Sequence, residues 1–583
     1  MRWLSTVSWS LMRVGRVSAR LIEPRGPDAA SVQHGPRLGR PTWPLLLSIV
    51  ALGSLLRVYR IGSPGLWIDE AFSIWLARHP LREMLHWVSR VDHHPPLYYG
   101  LLHVWTALLG SSEAAARALS ALFGAATIPV VYLLGRRVVD ASVGVVAALV
   151  LAISPFHIRF AQEARMYTLL TLCASLALYA SVTLWGQQRR PSSVPQACVL
   201  DAVGPYGTVR RAGKSWLPWV GYVACTVAAL WTHNTAILLP IAANVLVLGR
   251  AVLRGRLPGR KAPAAVDPEQ DGEEGVTWRR RWLVAQVAVL VLWLPWVASF
   301  ISQALDVYHR FWLPVPTLGT ILSIVGAFLS GSLPGPFWVV LVADVGLATL
   351  ALLGVRELYR RSASAAVLGA AFVVPFVGQW LASQWRPVLY ARTLIWTSIP
   401  LYVMLGAGVG WLRTKVLVRM GSSAVTVIVL AGLVAINSVA LANYYVTFEK
   451  EAWDDAAALV AERVRPDDLL LFGDSWGQIP FDYYFRQLYN SGEDQGIAEH
   501  GLPVDLFERG VLEPAMTERD LARLHKLVAG RRRVWLIYSH QWYTDPEGLI
   551  PDALTTALTL RRQWVFEGLQ VHLYVEEGRF RLR

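Results

Sequence analysis

Leu66-Trp67-Ile68-Asp69-Glu70 and, about one helix later, Asp92-His93-His94-Pro95-Pro96-Leu97-Tyr98-Tyr99 are the stretches from which the rest of the chain is read. The adjacent acids follow the first long apolar run, Trp43 to about Val58, where a bilayer-spanning chain re-enters water. Ionisable groups gathered at a membrane face are costly and tend to mark chemistry. A solvated helix start is the bland alternative, since carboxylates favour the first turn of a helix. The remainder of the chain decides between the two.

Of 583 residues, 54% are hydrophobic and only 16% charged, against about 25% charged in soluble domains. The chain is therefore expected to be a polytopic membrane protein. Its net charge of +14 does not point to nucleic acid, because most arginines flank apolar runs in the positive-inside pattern of cytoplasmic loops. Arg2, Arg13, Arg16 and Arg20 interrupt the N-terminal segment too often for a cleavable signal peptide. Residues 1–42 read as a cytoplasmic tail. Cys173, Cys198 and Cys225 lack metal or redox spacing. The 26 tryptophans suit interfacial belts.

Apolar runs at 43–58, 114–135, 141–155, 166–186, 216–232, 235–249, 282–301, 337–354, 364–384, 393–411 and 422–442 give about eleven transmembrane helices within 43–442. The apolar segments 97–109 and 317–331 are short for roughly 30 Å of hydrocarbon. If 97–109 crossed, Arg136 and Arg137 would fall outside, so both short segments are placed at the outer surface. Within the first outer loop, 60–113, residues 70–90 read as one amphipathic surface helix. Segments 187–215 and 250–281 read as cytoplasmic loops, the second a flexible linker of mixed charge.

After Asn443 the pattern changes. Helices are expected at Trp453–Val464, Phe481–Leu488 and Pro551–Leu560, and strands at Asp468–Phe472, Val534–Tyr538 and within Trp564–Val575. Residues 443–583 thus read as a small α/β domain with a partly parallel sheet, extracytoplasmic by the parity of the spans.

This topology, drawn from apolar runs and arginines alone, places Asp69, Glu70, Asp92, His93, His94, Glu163, Arg165, His233, His309, Arg386 and Arg392 on one face. Asp69 is the candidate general base, which must come within hydrogen-bond reach of a hydroxyl proton. Glu70 is its partner, as orienter or metal ligand. Pro95 and Pro96 stiffen the backbone behind His93 and His94, whose imidazoles suit a phosphate. Asp69 and His94 are also the candidate ligands of a divalent metal, which a carboxylate and an imidazole do not identify.

In Gln162-Glu163-Ala164-Arg165-Met166-Tyr167, Arg165 is a candidate for phosphate and Glu163 for hydroxyls; a plain juxtamembrane anchor is the alternative. Around Tyr390 and Arg392, basic residues on an outer face oppose the positive-inside trend. A guanidinium there suits a phosphate and the charge that grows on a phosphate leaving group. His233 alone reads as an ordinary interfacial residue.

These motifs resemble the bacterial GT-C glycosyltransferases of the family 39 group, which includes protein O-mannosyltransferase and aminoarabinose transferase relatives. The resemblance rests on Trp67-x-Asp69-Glu70, Asp92-x-His94-Pro95-Pro96-Leu97-Tyr98-Tyr99, Gly110-x-x-Glu113 with Arg117 and Ser120, and Gln162 through Tyr167. It is dense over about 60–170 and thinner at 385–411. Asn443-Tyr444-Tyr445 through Lys450-Glu451-Ala452-Trp453 is similar to members with a soluble C-terminal domain. One departure is that the family's late arginine is commonly followed by tyrosine, whereas Arg392 precedes Thr393 and Tyr390 lies upstream.

The resemblance implies a polyprenyl-phosphate monosaccharide donor, a hexose such as mannose, and inverting transfer to a protein, lipid or glycan outside the cytoplasm. Asp69 maps onto the family's catalytic acid. His93, His94, Glu163, Arg165, Tyr167, Tyr390 and Arg392 are then expected at the donor phosphate and sugar. A flippase would instead place ionisable groups near mid-membrane in repeated halves. A non-catalytic glycan-lipid binder would bind without turnover.

Overall fold

The computed structural model describes residues 42–92, 94–187, 216–256, 268–306, 315–331, 333–385, 387–415, 422–489, 497–506, 508 and 514–576. The helical part opens with α1 (Trp43–Val58), α2 (Ile68–Arg78), α3 (Leu81–Arg90), α4 (Leu97–Leu109) and α5 (Glu113–Val138). It continues through α6 (Ala141–Ile153), α7 (Pro155–Ala161), α8 (Tyr167–Gln187), α9 (Leu217–Leu230) and α10 (Leu238–Arg256). Then come α11 (Pro268–Asp306), α12 (Leu318–Leu329), α13 (Phe337–Arg361), α14 (Ala365–Ala382), α15 (Ser398–Lys415) and α16 (Ser422–Thr447).

Among the described residues, eight helices are long and apolar enough to cross a membrane, or nine if α6 and α7, bent by 58°, form one broken span. The chain is a multi-pass membrane protein. The bend has a plain cause. Pro155 opens α7 without a backbone N–H, and the Ser154 hydroxyl caps the new helix by accepting from the His157 N–H. Arg57, fully buried at the end of α1, donates to the Leu151 and Ala152 carbonyls left open at the break, each at 3.0 Å. Gly124 leaves room for it, since a Cβ there would stand 3.0 Å from Arg57 Nε. The arginine that ends α1 thus turns inward and closes a neighbour's helix end.

The two short segments, α4 and α12, are too short to count among the eight long apolar helices. The α4 N-terminus is tied by its Leu97 N–H to the Trp231 carbonyl just past α9. Its other end lies a few residues before Arg117, which pairs with Glu70 of α2. Both ends therefore sit on the α2 face of the bundle. Gly331, just after α12, packs on Pro155 at the same face.

Two expectations are corrected. The stretch 70–90 is two helices, α2 and α3, because Pro80 cannot continue the first and takes the N-cap of the second. The segment 250–281 is helical over 250–256 and 268–281, so α10 and α11 reach well into the supposed linker. Its remainder, 257–267, and the loop 188–215 lie outside the described residues, as does nearly all of the 1–42 tail.

Beyond α16 the chain forms α17 (Trp453–Arg463), β1 (Leu469–Phe472), α18 (Gln478–Leu488), β2 (Ala498–Gly501), α19 (Leu521–Val528), β3 (Arg533–Ser539), α20 (Leu549–Ala557), β4 (Thr559–Phe566) and β5 (Leu569–Val575). The sheet order is β2-β1-β3-β5-β4, with β2, β1 and β3 parallel and β3, β5 and β4 antiparallel. β1 is buried along its whole length, as a central parallel strand covered on both faces must be. The ends of β1 and β3 lead into Asp474 and His540, and these face the helical part (below).

Candidate active site

Asp69 lies in the first turn of α2. Its Oδ2 accepts from Arg392 Nη1 at 3.3 Å, with the two side chains 31% and 24% exposed. Arg392 stands in a 3₁₀ turn, Ala391–Thr397, that leads into α15. Its guanidinium lies over the rings of Tyr390 and Tyr167, at 5.1 and 6.0 Å. A second guanidinium, the buried Arg165, donates to the Asp69 carbonyl, the Ser73 hydroxyl and the Tyr99 hydroxyl, at 3.2–3.3 Å. Ser120 holds the Arg165 carbonyl at 3.0 Å and is itself bonded to Tyr98. Burial pushes the Asp69 carboxyl up, but Arg165, then Arg392 and His94, outweigh it and hold it below the usual aspartate value.

Around this pair stand the imidazoles. His94 Nδ1 meets Asp92 Oδ1 at 2.9 Å. Burial pushes Asp92 up, and His94, with help from Arg165, brings it down to about 2. His233 accepts on Nδ1 from the Thr235 N–H, at 3.2 Å, which places its proton on Nε2. That N–H is buried without a partner among the described residues. Burial, then the charges of His94, Arg165 and Arg392, keep this ring neutral well below the usual histidine value. The His233 ring lies 5.2 Å from that of His94, so it belongs to the site rather than to an ordinary interface.

Glu163 is 1% exposed and neither carboxylate oxygen has a hydrogen-bond partner among the described residues. Arg159 Nε approaches only to 3.6 Å. Burial raises the Glu163 pKa, and Lys450 and Arg159 only partly counter it. Arg165 Nε is likewise buried and unpartnered. Buried polar groups are normally satisfied. Glu163, Arg165 and His233 together leave acceptors and donors of the kind a phosphorylated, hydroxyl-rich ligand supplies.

Glu70, expected as orienter or metal ligand, has both carboxylate oxygens taken up by protein donors. It is fully buried, and four donors fill it: Arg117 Nε at 2.8 Å and the Ala164 N–H at 2.9 Å on Oε1, Arg117 Nη2 at 2.8 Å and Lys450 Nζ at 2.6 Å on Oε2. Arg117 also donates to the carbonyls of Ile61, Pro64 and Gly65. Burial raises the Glu70 carboxyl, and Arg117 and Lys450 bring it down to about 2. The acid pair thus splits into one open carboxylate and one structural one.

Among the described residues no group of three His, Cys, Asp or Glu side chains converges as a metal site. Asp69, the expected metal ligand with His94, faces Arg392, and His94 also acts on its charge. His93, His309 and Arg386 lie outside the described residues. Sequence reading gave no role to Lys450 or Arg117 beyond the resemblance. The signal was there for Lys450, in a charged Lys-Glu pair directly after the last span.

An acid-bearing first loop on a polytopic helical bundle, topped by a small α/β domain, is the GT-C architecture. Residues 93–207 match the family described as dolichyl-phosphate-mannose-protein mannosyltransferase. ArnT from Cupriavidus metallidurans, in its apo state and bound to undecaprenyl phosphate, has a similar structure: TM-score 0.56 at 15% identity, covering 92% of this chain and 98% of that one. The oligosaccharyltransferase of Archaeoglobus fulgidus is similar at TM-score 0.51 and 13% identity, covering 88% of this chain and 72% of its own. At these identities the likeness establishes the fold. A comparison with curated protein sequences gives no significant match.

Proposed function

We propose that this chain is a membrane glycosyltransferase that moves a monosaccharide, a hexose such as mannose, from a polyprenyl-phosphate donor to a protein, lipid or glycan acceptor outside the cytoplasm. The observation that carries this is a part-exposed carboxylate flanked by two guanidiniums at one end of a lipid-facing bundle. In the resting site Arg392 pairs with Asp69. An arriving donor phosphate competes for Arg392 and leaves Asp69 free to act as base.

Asp69 then takes the proton of the acceptor hydroxyl as its oxygen attacks C1 of the sugar. The C1–O bond to phosphate breaks with inversion, and the electron pair leaves with polyprenyl phosphate. Arg392 stabilises the charge on that phosphate, and Arg165 fixes the base and adds to the positive field. His233 Nε2–H, His94 and Glu163 contact the sugar and phosphate, and Tyr167 and Tyr390 hold the arginine. Positioning both substrates in line lowers the entropic part of the barrier. The resemblance and the similarity to ArnT bound to undecaprenyl phosphate support the choice of donor.

The test is transfer from a synthetic polyprenyl-phosphate monosaccharide by purified protein. Asp69→Asn is expected to lower kcat by about 10²- to 10⁴-fold, the usual worth of a general base, without loss of polyprenyl phosphate binding. Unchanged kcat overturns the assignment. The same assay with chelator decides between arginine and metal. Activity that survives chelation assigns the leaving group to Arg392, whereas loss restored by a divalent ion assigns a metal to Asp69 and His94.

A further inference from the structure

The helix that carries Asp69 lacks a cap of its own. Trp67, at the N-cap of α2, makes no side-chain cap hydrogen bond, although the first turn of a helix leaves backbone N–H groups open. The Ile68 N–H is met from 383 positions away, by Glu451 Oε2 at 3.4 Å. Glu451 lies in the segment that joins α16 to α17, next to Lys450, which holds Glu70.

Glu451 is itself gripped by the α/β domain. Its Oε2 accepts from Trp453 Nε1 at 2.7 Å, and its Oε1 takes His540 Nε2 at 3.1 Å. His540 follows β3, with a positive φ of 50°, and its Nδ1 donates to Asp474 after β1 at 3.0 Å. The carboxyl ends of neighbouring parallel strands are where open α/β sheets take ligands. Here that position is filled by the chain's own linker carboxylate. Three donors converge on Glu451, so only an acceptor on both oxygens fits.

Further contacts clamp the same loop. The Leu66 N–H donates to the Tyr484 hydroxyl at 2.8 Å, Trp476 packs on Phe72 of α2 at 5.0 Å between ring centres, and the Tyr483 hydroxyl donates to the Ser111 carbonyl at 2.9 Å.

We propose that the C-terminal domain is a positioning device for Asp69, acting through the chain Asp474–His540–Glu451–Ile68 on the N-terminus of α2. Glu451 and His540 are positioning residues. Neither touches the reacting atoms. The inference rests on Asp69 as the base for its kinetic consequence, but its structural arm does not.

The experiment uses full-length protein in nanodiscs. Glu451→Ala is expected to lower kcat about tenfold with the donor KM unchanged within twofold, and to speed amide exchange at residues 68–71 selectively. His540→Ala should do the same more weakly. The double variant should be no worse than Glu451→Ala alone, because both lie on one path. Glu451→Gln should fail to rescue, since its amide turns a donor toward donors. Unchanged exchange at 68–71, or multiplicative losses in the double variant, would overturn the proposal. If Asp69→Asn keeps full activity while Glu451→Ala still loosens α2, the base assignment fails and the positioning contact stands.

Discussion

The two adjacent acids of the first loop differ because their neighbours differ. Glu70 points into a closed set of donors and Asp69 into a part-open site beside the part-exposed Arg392. Glu70→Gln should cost about 3–5 kcal/mol of stability by stranding buried Arg117 and Lys450, seen as a lower thermal midpoint in detergent. Glu70 has its folded pKa depressed from 4.5 to about 2, so the stability it contributes is present above that unfolded value and is lost as pH falls toward 2. Asp69 is also held low. The ionised base therefore persists through neutral pH, and kcat/KM should show no acid limb from Asp69 until pH falls below about 4; a limb near pH 6 would assign the base elsewhere.

Glu163 has the opposite sign. Its folded pKa is raised, so its stability contribution is lost as pH rises through that value. Glu163→Gln should raise the thermal midpoint at neutral pH while weakening donor binding. Unchanged affinity would remove Glu163 from the sugar site. The sequence grouped these acids and arginines on one expected face, but their pairings depend on three-dimensional neighbours such as Lys450, 380 positions from Glu70.

At the scale of elements, apolar runs and arginines were sufficient to place the long helices, and strand patterns found β1, β3 and the β4–β5 region. β2, Ala-Glu-His-Gly, escaped because a four-residue edge strand carries no apolar alternation. The 70–90 stretch was misread because its amphipathic pattern runs through Pro80, which breaks it. Helix contacts follow a rule that single-helix patterns do not show. α13 and α15 approach at Gly354, where an added Cβ would stand 1.8 Å from the Met404 carbonyl. Gly354→Ala should therefore force the helices apart and cost about 1–3 kcal/mol, read as a lower thermal midpoint with no change in the Asp69 pH profile. Tolerance of that alanine would show that the crossing is looser than its geometry.

At the scale of the whole molecule, the site and the α/β domain share one end of the bundle, since Glu451, Tyr483 and Tyr484 all touch the first loop. The other end carries Arg136 and Arg137 in the last turn of α5 and Arg360 and Arg361 in the last turn of α13. The proposed function needs that second end in the cytoplasm, which the positive-inside bias supports, and the reaction at the first end on the extracytoplasmic side. Two cysteines introduced one at a time into a chain whose own cysteines are replaced decide this. Thr555→Cys lies on the exposed face of α20 and Thr414→Cys on the exposed end of α15. A membrane-impermeant maleimide added to intact cells should label Thr555→Cys at once and Thr414→Cys only after permeabilisation. The reverse pattern would turn the whole bundle over and, with it, put the donor site on the cytoplasmic face.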